Sequence, residues 1–192
     1  MLVTNSLAAL KQRGPEVKIN IRMMPPIDIE KSVLDGSLHV GVIPALDSLS
    51  GLEYSDLYSE TSQLYCGHLH PLFGNDSAHL NRKQLLDEDA VVYIRGVPDS
   101  AREFMRQMKV SATATDREGV AFLILSGEYI GFLPTHYAER WVNEERMQAL
   151  LPEHFHYQTR FTAITRKGGR PNLVLQTYLE ELARAENDRP GF

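Results

Sequence analysis

Polar and apolar residues change their period several times along this chain, and each change marks an element. Leu7 and Leu10 begin the apolar stripe of a first helix, with caps in Thr4-Asn5-Ser6 and an end at Gly14-Pro15. Val17, Ile19 and Ile21 then alternate with Lys18, Asn20 and Arg22, a period of two that predicts a strand. After the stiff Met24-Pro25-Pro26 loop, Asp28 opens a helix carrying Ile29, Val33 and Leu34. Gly36 stops that helix, and Leu38 to Ile43 reads as the next strand, closed by Pro44. Strand, helix and strand joined by short loops predict a parallel pair with a right-handed crossover.

Further on, Leu64-Tyr65-Cys66 is a strand, and His70-Pro71-Leu72 breaks into a polar loop that runs to Asn81. A short helix over Leu80 to Leu86 precedes the buried strand Ala90 to Ile94. Asp99 or Ser100 caps a helix through Met108, and Val110 to Ala114 is a short strand. The stretch from Asp116 to Asn143 is the most regular. A helix ends at Ser126-Gly127, a buried strand covers Tyr129 to Leu133, and Pro134 starts a helix over Thr135 to Asn143. Such a tight helix-to-strand turn needs glycine where the backbone takes positive φ. Tyr157 to Arg166 is a long strand, Gly168-Gly169 a turn, and Val174, Leu175, Tyr178, Leu179 and Leu182 line one face of a last helix. Strands alternating with helices give an α/β, doubly wound class.

Composition narrows the function. A net charge of -5, with Lys and Arg spread along the chain, lacks the basic stripe of a stand-alone nucleic-acid binder. The single cysteine, Cys66, forbids an internal disulfide and suits a reducing compartment. No charged segment followed by an apolar run marks a signal peptide, and the apolar stretch from Val120 to Pro134 is interrupted by Ser126-Gly127-Glu128. The expectation is a cytoplasmic protein with no membrane partner.

Asp35-Gly36 followed by Gly41, Leu64-Tyr65-Cys66 leading to His70-Pro71-Leu72, and Ser126-Gly127 leading to Pro134 stand in an order that resembles the effector-binding domain of LysR-type transcriptional regulators. The resemblance runs from about Thr4 to Ala185. It implies two Rossmann-like lobes joined by two crossover strands, a type 2 periplasmic-binding-protein-like fold. Residues 1–66 plus 161–192 would form lobe I and residues 67–160 lobe II. It also implies a small-molecule effector held between the lobes, a homodimer that becomes a tetramer at full length, and DNA binding only through a helix-turn-helix absent from this chain. The strand expected before the first helix has no counterpart either. A solute-binding protein of a transport system shares this architecture and is the alternative.

Ligands of open α/β sheets sit beyond the carboxyl ends of strands, near backbone N–H groups and helix N-termini. That rule selects Met24, Pro25 and Pro26, then Ile43 and Pro44, then Arg95 and Gly96, then Thr115, Asp116 and Arg117. Thr4 is counted with them as effector-binding. Arg95 can hold a carboxylate in its planar fork, and the amides after Asp116 can share an anion's charge. The prolines offer no N–H, so their walls suit an apolar body with one polar end. The ordinary alternatives weigh about evenly: Arg95 paired with a surface acid, Asp116 serving only as a helix cap.

The pairs His68/His70 and His154/His156 would share a face if they lay on strands, yet no Cys, Asp or Glu completes a metal spacing. Structural or solvent-facing histidines are the stronger reading, and no metal or cofactor is expected. No Gly-x-Ser-x-Gly elbow, Walker loop or Gly-x-Gly-x-x-Gly run is present, and Cys66 sits in an apolar strand as an inert thiol. Nothing here points to an enzyme.

Overall fold

A computed structural model of the chain describes residues 2–45, 48–75, 80–93, 97–169 and 172–187. It divides into two compact units, residues 1–58 with 160–192 and residues 59–159. The changeovers fall inside two long strands, β2 (Leu52–Gly67) and β7 (His156–Arg166), rather than at the strand end expected near residue 66.

In the first unit, α1 (Leu2–Arg13) and α7 (Leu173–Asn187) share a core of Leu10, Leu57, Ala163, Tyr178 and Leu182. On a second core, α2 (Pro26–Leu34) lays Val33 against Ile43, Leu52 and Ile164. The short strand β1 (Gly41–Pro44) pairs antiparallel with β7, Gly41 opposite Ile164 and Pro44 opposite Phe161. A side chain at Gly41 would strike the Ile29 Cγ2 at 2.3 Å, so the close seat of α2 on β1 requires glycine there.

The first unit corrects the pattern in three places. Helix α1 is already formed at Val3, because the buried Ser6 hydroxyl bonds the Val3 carbonyl (2.9 Å) inside the helix instead of capping it. Residues 17–25 form no strand, and among the described residues no strand lies against them. The expected parallel crossover pair is therefore absent, since β1 spends its ladder on β7. Alternation alone does not make a strand. A neighbour must accept its hydrogen bonds.

The second unit follows its sequence closely. It contains α3 (Arg82–Asp87), β3 (Asp89–Tyr93), α4 (Asp99–Gln107), β4 (Lys109–Ala114), α5 (Arg117–Leu125), β5 (Ile130–Pro134), α6 (Thr135–Asn143) and β6 (Met147–Ala149). Strand β3 runs parallel to both β4 and β5, while β2 runs antiparallel to β5 and β6. Successive residues bury on opposite faces. Leu64, Ala90, Ile130 and Phe132 join Leu85, Leu150 and Phe155 on one side. Tyr65, Val91 and Leu133 join Val120, Ile124 and Trp141 on the other. Burial on both faces is why β5 reads as a continuous apolar run. Asn81 closes α3 with a reciprocal capping box to Gln84. Gly127 takes the positive φ of 84° demanded by the α5–β5 turn.

Candidate functional site

The register of β2 on β5 sets Ser62 opposite Pro134, the last residue of β5 and the N-cap of α6. Two residues before Ser62 comes Glu60, and two residues after Pro134 comes His136. The pairing therefore brings the two together, with the His136 Nε2 at 3.7 Å from the Glu60 Oε1. The Glu60 carboxylate is buried, at 8 % exposure, and its Oε2 accepts a charge-assisted bond of 2.8 Å from the Arg117 Nη2.

Arg117 is held there by its own element. Tyr93 and Ala114 are paired neighbours at the ends of β3 and β4, and Asp116 caps α5 by accepting the Gly119 N–H at 2.7 Å. Arg117 thus opens the helix at the end of β4. Burial raises the phenols of Tyr93 and Tyr157, and the nearby Arg117 guanidinium opposes that rise. Tyr157 also shares a hydrogen bond with Ser62. The result is two acidic groups, Glu60 and Asp116, with two basic and two phenolic ones, gathered by the carboxyl ends of β3, β4 and β5. With the guanidinium partly exposed and a protonatable imidazole beside it, the cluster can take an acidic group of a ligand, Glu60 being the internal counter-ion.

Of the residues selected from sequence, Asp116 and Arg117 belong to this cluster, and Thr115 is exposed next to them. Arg95 and Gly96 lie outside the described residues. In the first unit, Pro25 is the N-cap of α2 and Pro26 its first residue, and the Pro25 carbonyl takes the N–H groups of Asp28 and Ile29. Met24 before them is half-buried. Ile43 is fully buried against Val33, Leu52 and Ile164, so its side chain belongs to the core; Pro44 follows it, paired with Phe161. Thr4 is exposed within α1. Sequence reasoning passed over Glu60 and His136. The available signals were an acid in a stretch that had to be part of a strand and a histidine just after the strand-ending Pro134.

The histidine pairs do not gather ligands. Strand β2 ends at Gly67, so His68 and His70 occupy a turn, where the shared-face argument fails. His70 is buried while His68 is exposed, and His154 and His156 are both exposed. Among the described residues no cluster of three metal-ligating side chains occurs. Burial pushes the Cys66 thiol up to about 12, which leaves it protonated at neutral pH. No described helix is long and apolar enough to cross a membrane.

A model of the LysR substrate binding domain matches residues 1–186. The chain belongs to this family. It is 50% identical over 183 residues to the HTH-type transcriptional activator BauR of Pseudomonas aeruginosa, covering 95% of this chain and 60% of that protein. The chain thus spans about three-fifths of the length of that curated relative. Among solved structures, the CcmR regulatory domain of Synechocystis PCC6803 in complex with 2-PG superposes with a TM-score of 0.80 at 15% identity, covering 98% of this chain and 93% of that one. The effector binding domain of QuiR in complex with shikimate gives 0.78 at 11% identity, with 96% and 90% covered. Full-length CbnR complexed with its target DNA gives 0.72 at 18% identity, with 95% and 65% covered. At such identities the likeness speaks to the fold. This LysR domain has the periplasmic-binding-protein-like α/β fold of the LysR effector-binding domains, and a transport role is not favoured.

Proposed function

We propose that this chain is the inducer-sensing part of a cytoplasmic LysR-type transcription factor, taking a small organic acid at the Glu60–Arg117–His136 cluster. Membership of the LysR substrate-binding family carries the sensing role, and the buried carboxylate bridged by two basic side chains carries the ligand class. An acidic effector competes with Glu60 for the guanidinium, with Arg117 supplying the planar fork that a carboxylate fits. Tyr93 and Tyr157 supply the apolar body of the wall, each with a phenolic hydroxyl. An effector that binds one conformation of the domain better than another shifts the population toward it, and in a longer protein that bias passes to an attached DNA-binding region. The name of BauR and the DNA complex of CbnR support this reading for the whole protein, and homodimerisation through the sensor domain is part of the proposal.

A thermal-shift screen of small carboxylic acids tests the proposal. An effector present at 100 times its Kd stabilises by about 2.7 kcal/mol, which raises Tm by roughly 5–10 °C in a domain of this size. Arg117→Ala abolishes the shift, and Arg117→Lys restores only part of it because an ammonium lacks the fork. An effector that still shifts the Arg117→Ala protein as far as the parent would sink the assignment of the site.

A further inference from the structure

We propose that His70 is a proton-sensitive latch on the Gly67–Asn75 turn, its neutral ring holding the turn shut and its protonated ring releasing it. The ring is buried, at 5% exposure, yet it is not passive packing. Its Nδ1 accepts the backbone N–H of Leu72 at 3.2 Å, a bond buried on both sides. That bond fixes the tautomer: with Nδ1 accepting, the single proton of the neutral ring sits on Nε2. Nε2 in turn points to Glu88, whose Oε2 lies 3.8 Å away, beyond hydrogen-bonding distance. Adding a proton to Nδ1 sets two donors against each other, N–H facing N–H. The ring cannot be both charged and latched.

The latch matters because of what the turn carries. Leu72 is part of the buried core beneath it, and Phe73 packs on the same cluster. Leu69 lies over Gly127, where an added Cβ would come within 2.5 Å of the Leu69 Cβ. On the far side, the Gln148 amide of β6 accepts from the Gly74 N–H at 2.7 Å and donates to the Asn75 carbonyl at 2.9 Å. The turn is thus pinned at its exit by an amide that does not titrate and at its centre by an imidazole that does. The charged groups of the adjoining elements that act on the ring are both acidic. Glu88 at the end of α3 and Glu128 between α5 and β5 favour a charged ring. Arg146, whose carbonyl accepts the His68 N–H at 3.0 Å, is itself paired with Glu144 at 3.6 Å, and His68 is exposed. Burial outweighs the two glutamates and holds the imidazole below its usual range.

The sign follows from that depression. A histidine held below its unfolded value of about 6.5 contributes stability in full above that value and loses it as pH falls through the lower, folded value. Amide hydrogen exchange of Leu72 in the 192-residue chain, corrected for the intrinsic pH dependence, reads the latch directly. The protection factor should fall by up to about tenfold per pH unit between about 6.5 and the ring's lower, folded titration point, where opening takes up one proton, and should level off below it. His70→Asn places a non-titrating oxygen where Nδ1 lies and should make Leu72 protection independent of pH. Glu88→Gln removes an anion that favours the charged ring and should move the loss to lower pH. Ring 15N shifts in the parent protein should report the Nε2–H tautomer while the turn is shut. The proposal is overturned if the ring titrates with Leu72 protection unchanged, if the ring carries its proton on Nδ1, or if His70→Asn loses protection in acid as the parent does. Should His70→Asn fail to fold, the parent's ring titration and Leu72 exchange still decide between these outcomes.

Discussion

Two stretches of this chain advertise β structure, and only one of them forms it. Val17 to Met24 alternates polar and apolar residues in the pattern of a half-buried strand, yet Ile19, Ile21 and Met23 stand 40%, 68% and 93% exposed. Tyr129 to Pro134 shows no alternation, and β5 within it is buried at every residue. The difference is company. β5 lies between β3 and β2, and its side chains meet a core on each face. The earlier stretch has no ladder beside it among the described residues, so beyond Val17, which packs against the α1–α7 core, its alternating apolar side chains stay exposed. Periodicity reports which side chains want burial; pairing decides whether they get it.

The comparison is most exposed to test at Leu133, which is fully buried. Leu133→Ala should cost about 3 kcal/mol in urea unfolding, whereas Ile21→Ala should change stability by less than about 0.5 kcal/mol. Equal losses would mean the first stretch is packed in solution. A smaller but sharper effect is expected at Gly131, where a Cβ would meet the Val91 Cγ1 at 2.7 Å and the Val91 carbonyl oxygen at 3.2 Å. Gly131→Ala should therefore destabilise by about 1–3 kcal/mol through overpacking between β3 and β5, read as a lower urea midpoint with an unchanged slope. The least effect belongs to Asn20→Pro. A proline removes an N–H and is costly inside a ladder, so a change within about 0.5 kcal/mol is expected if residue 20 has no strand partner. A loss well beyond that would reveal a ladder.

The same contrast explains what could be read from the chain itself. In the second unit, local signals and tertiary packing agree. Asp116 caps α5, Gly127 turns into β5, and α6 begins at Thr135 after its proline. There the α/β reading and two of the site residues, Asp116 and Arg117, were legible. The first half of β2 was not, because Glu53, Asp56 and Glu60 interrupt any regular alternation while Leu52 and Leu57 bury. Glu60 shows why the site was only half visible. A carboxylate in that strand reads as a solvated residue until the β2–β5 register sets it beside α6 and the α5 N-terminus supplies Arg117. Ile43 shows the opposite case. Proximity to a strand end made it a candidate, and its side chain turned out to be core. The N-terminal helix began earlier than its polar residues suggested because Ser6 is spent within the helix on the Val3 carbonyl.

One feature of the layout bears on the order in which the molecule is made. The second unit is a single uninterrupted stretch, 59–159, inserted within the first. On a ribosome it is complete while the first unit still waits: β1 for the later half of β7, α1 for α7. The nascent protein therefore carries Leu10 and Ile43 incompletely covered for the time needed to add roughly 120–170 residues, on the order of 6–35 s at common elongation rates. Chaperone dependence during synthesis should accordingly trace to the first helix and first strand, even though most of the strands belong to the inserted half.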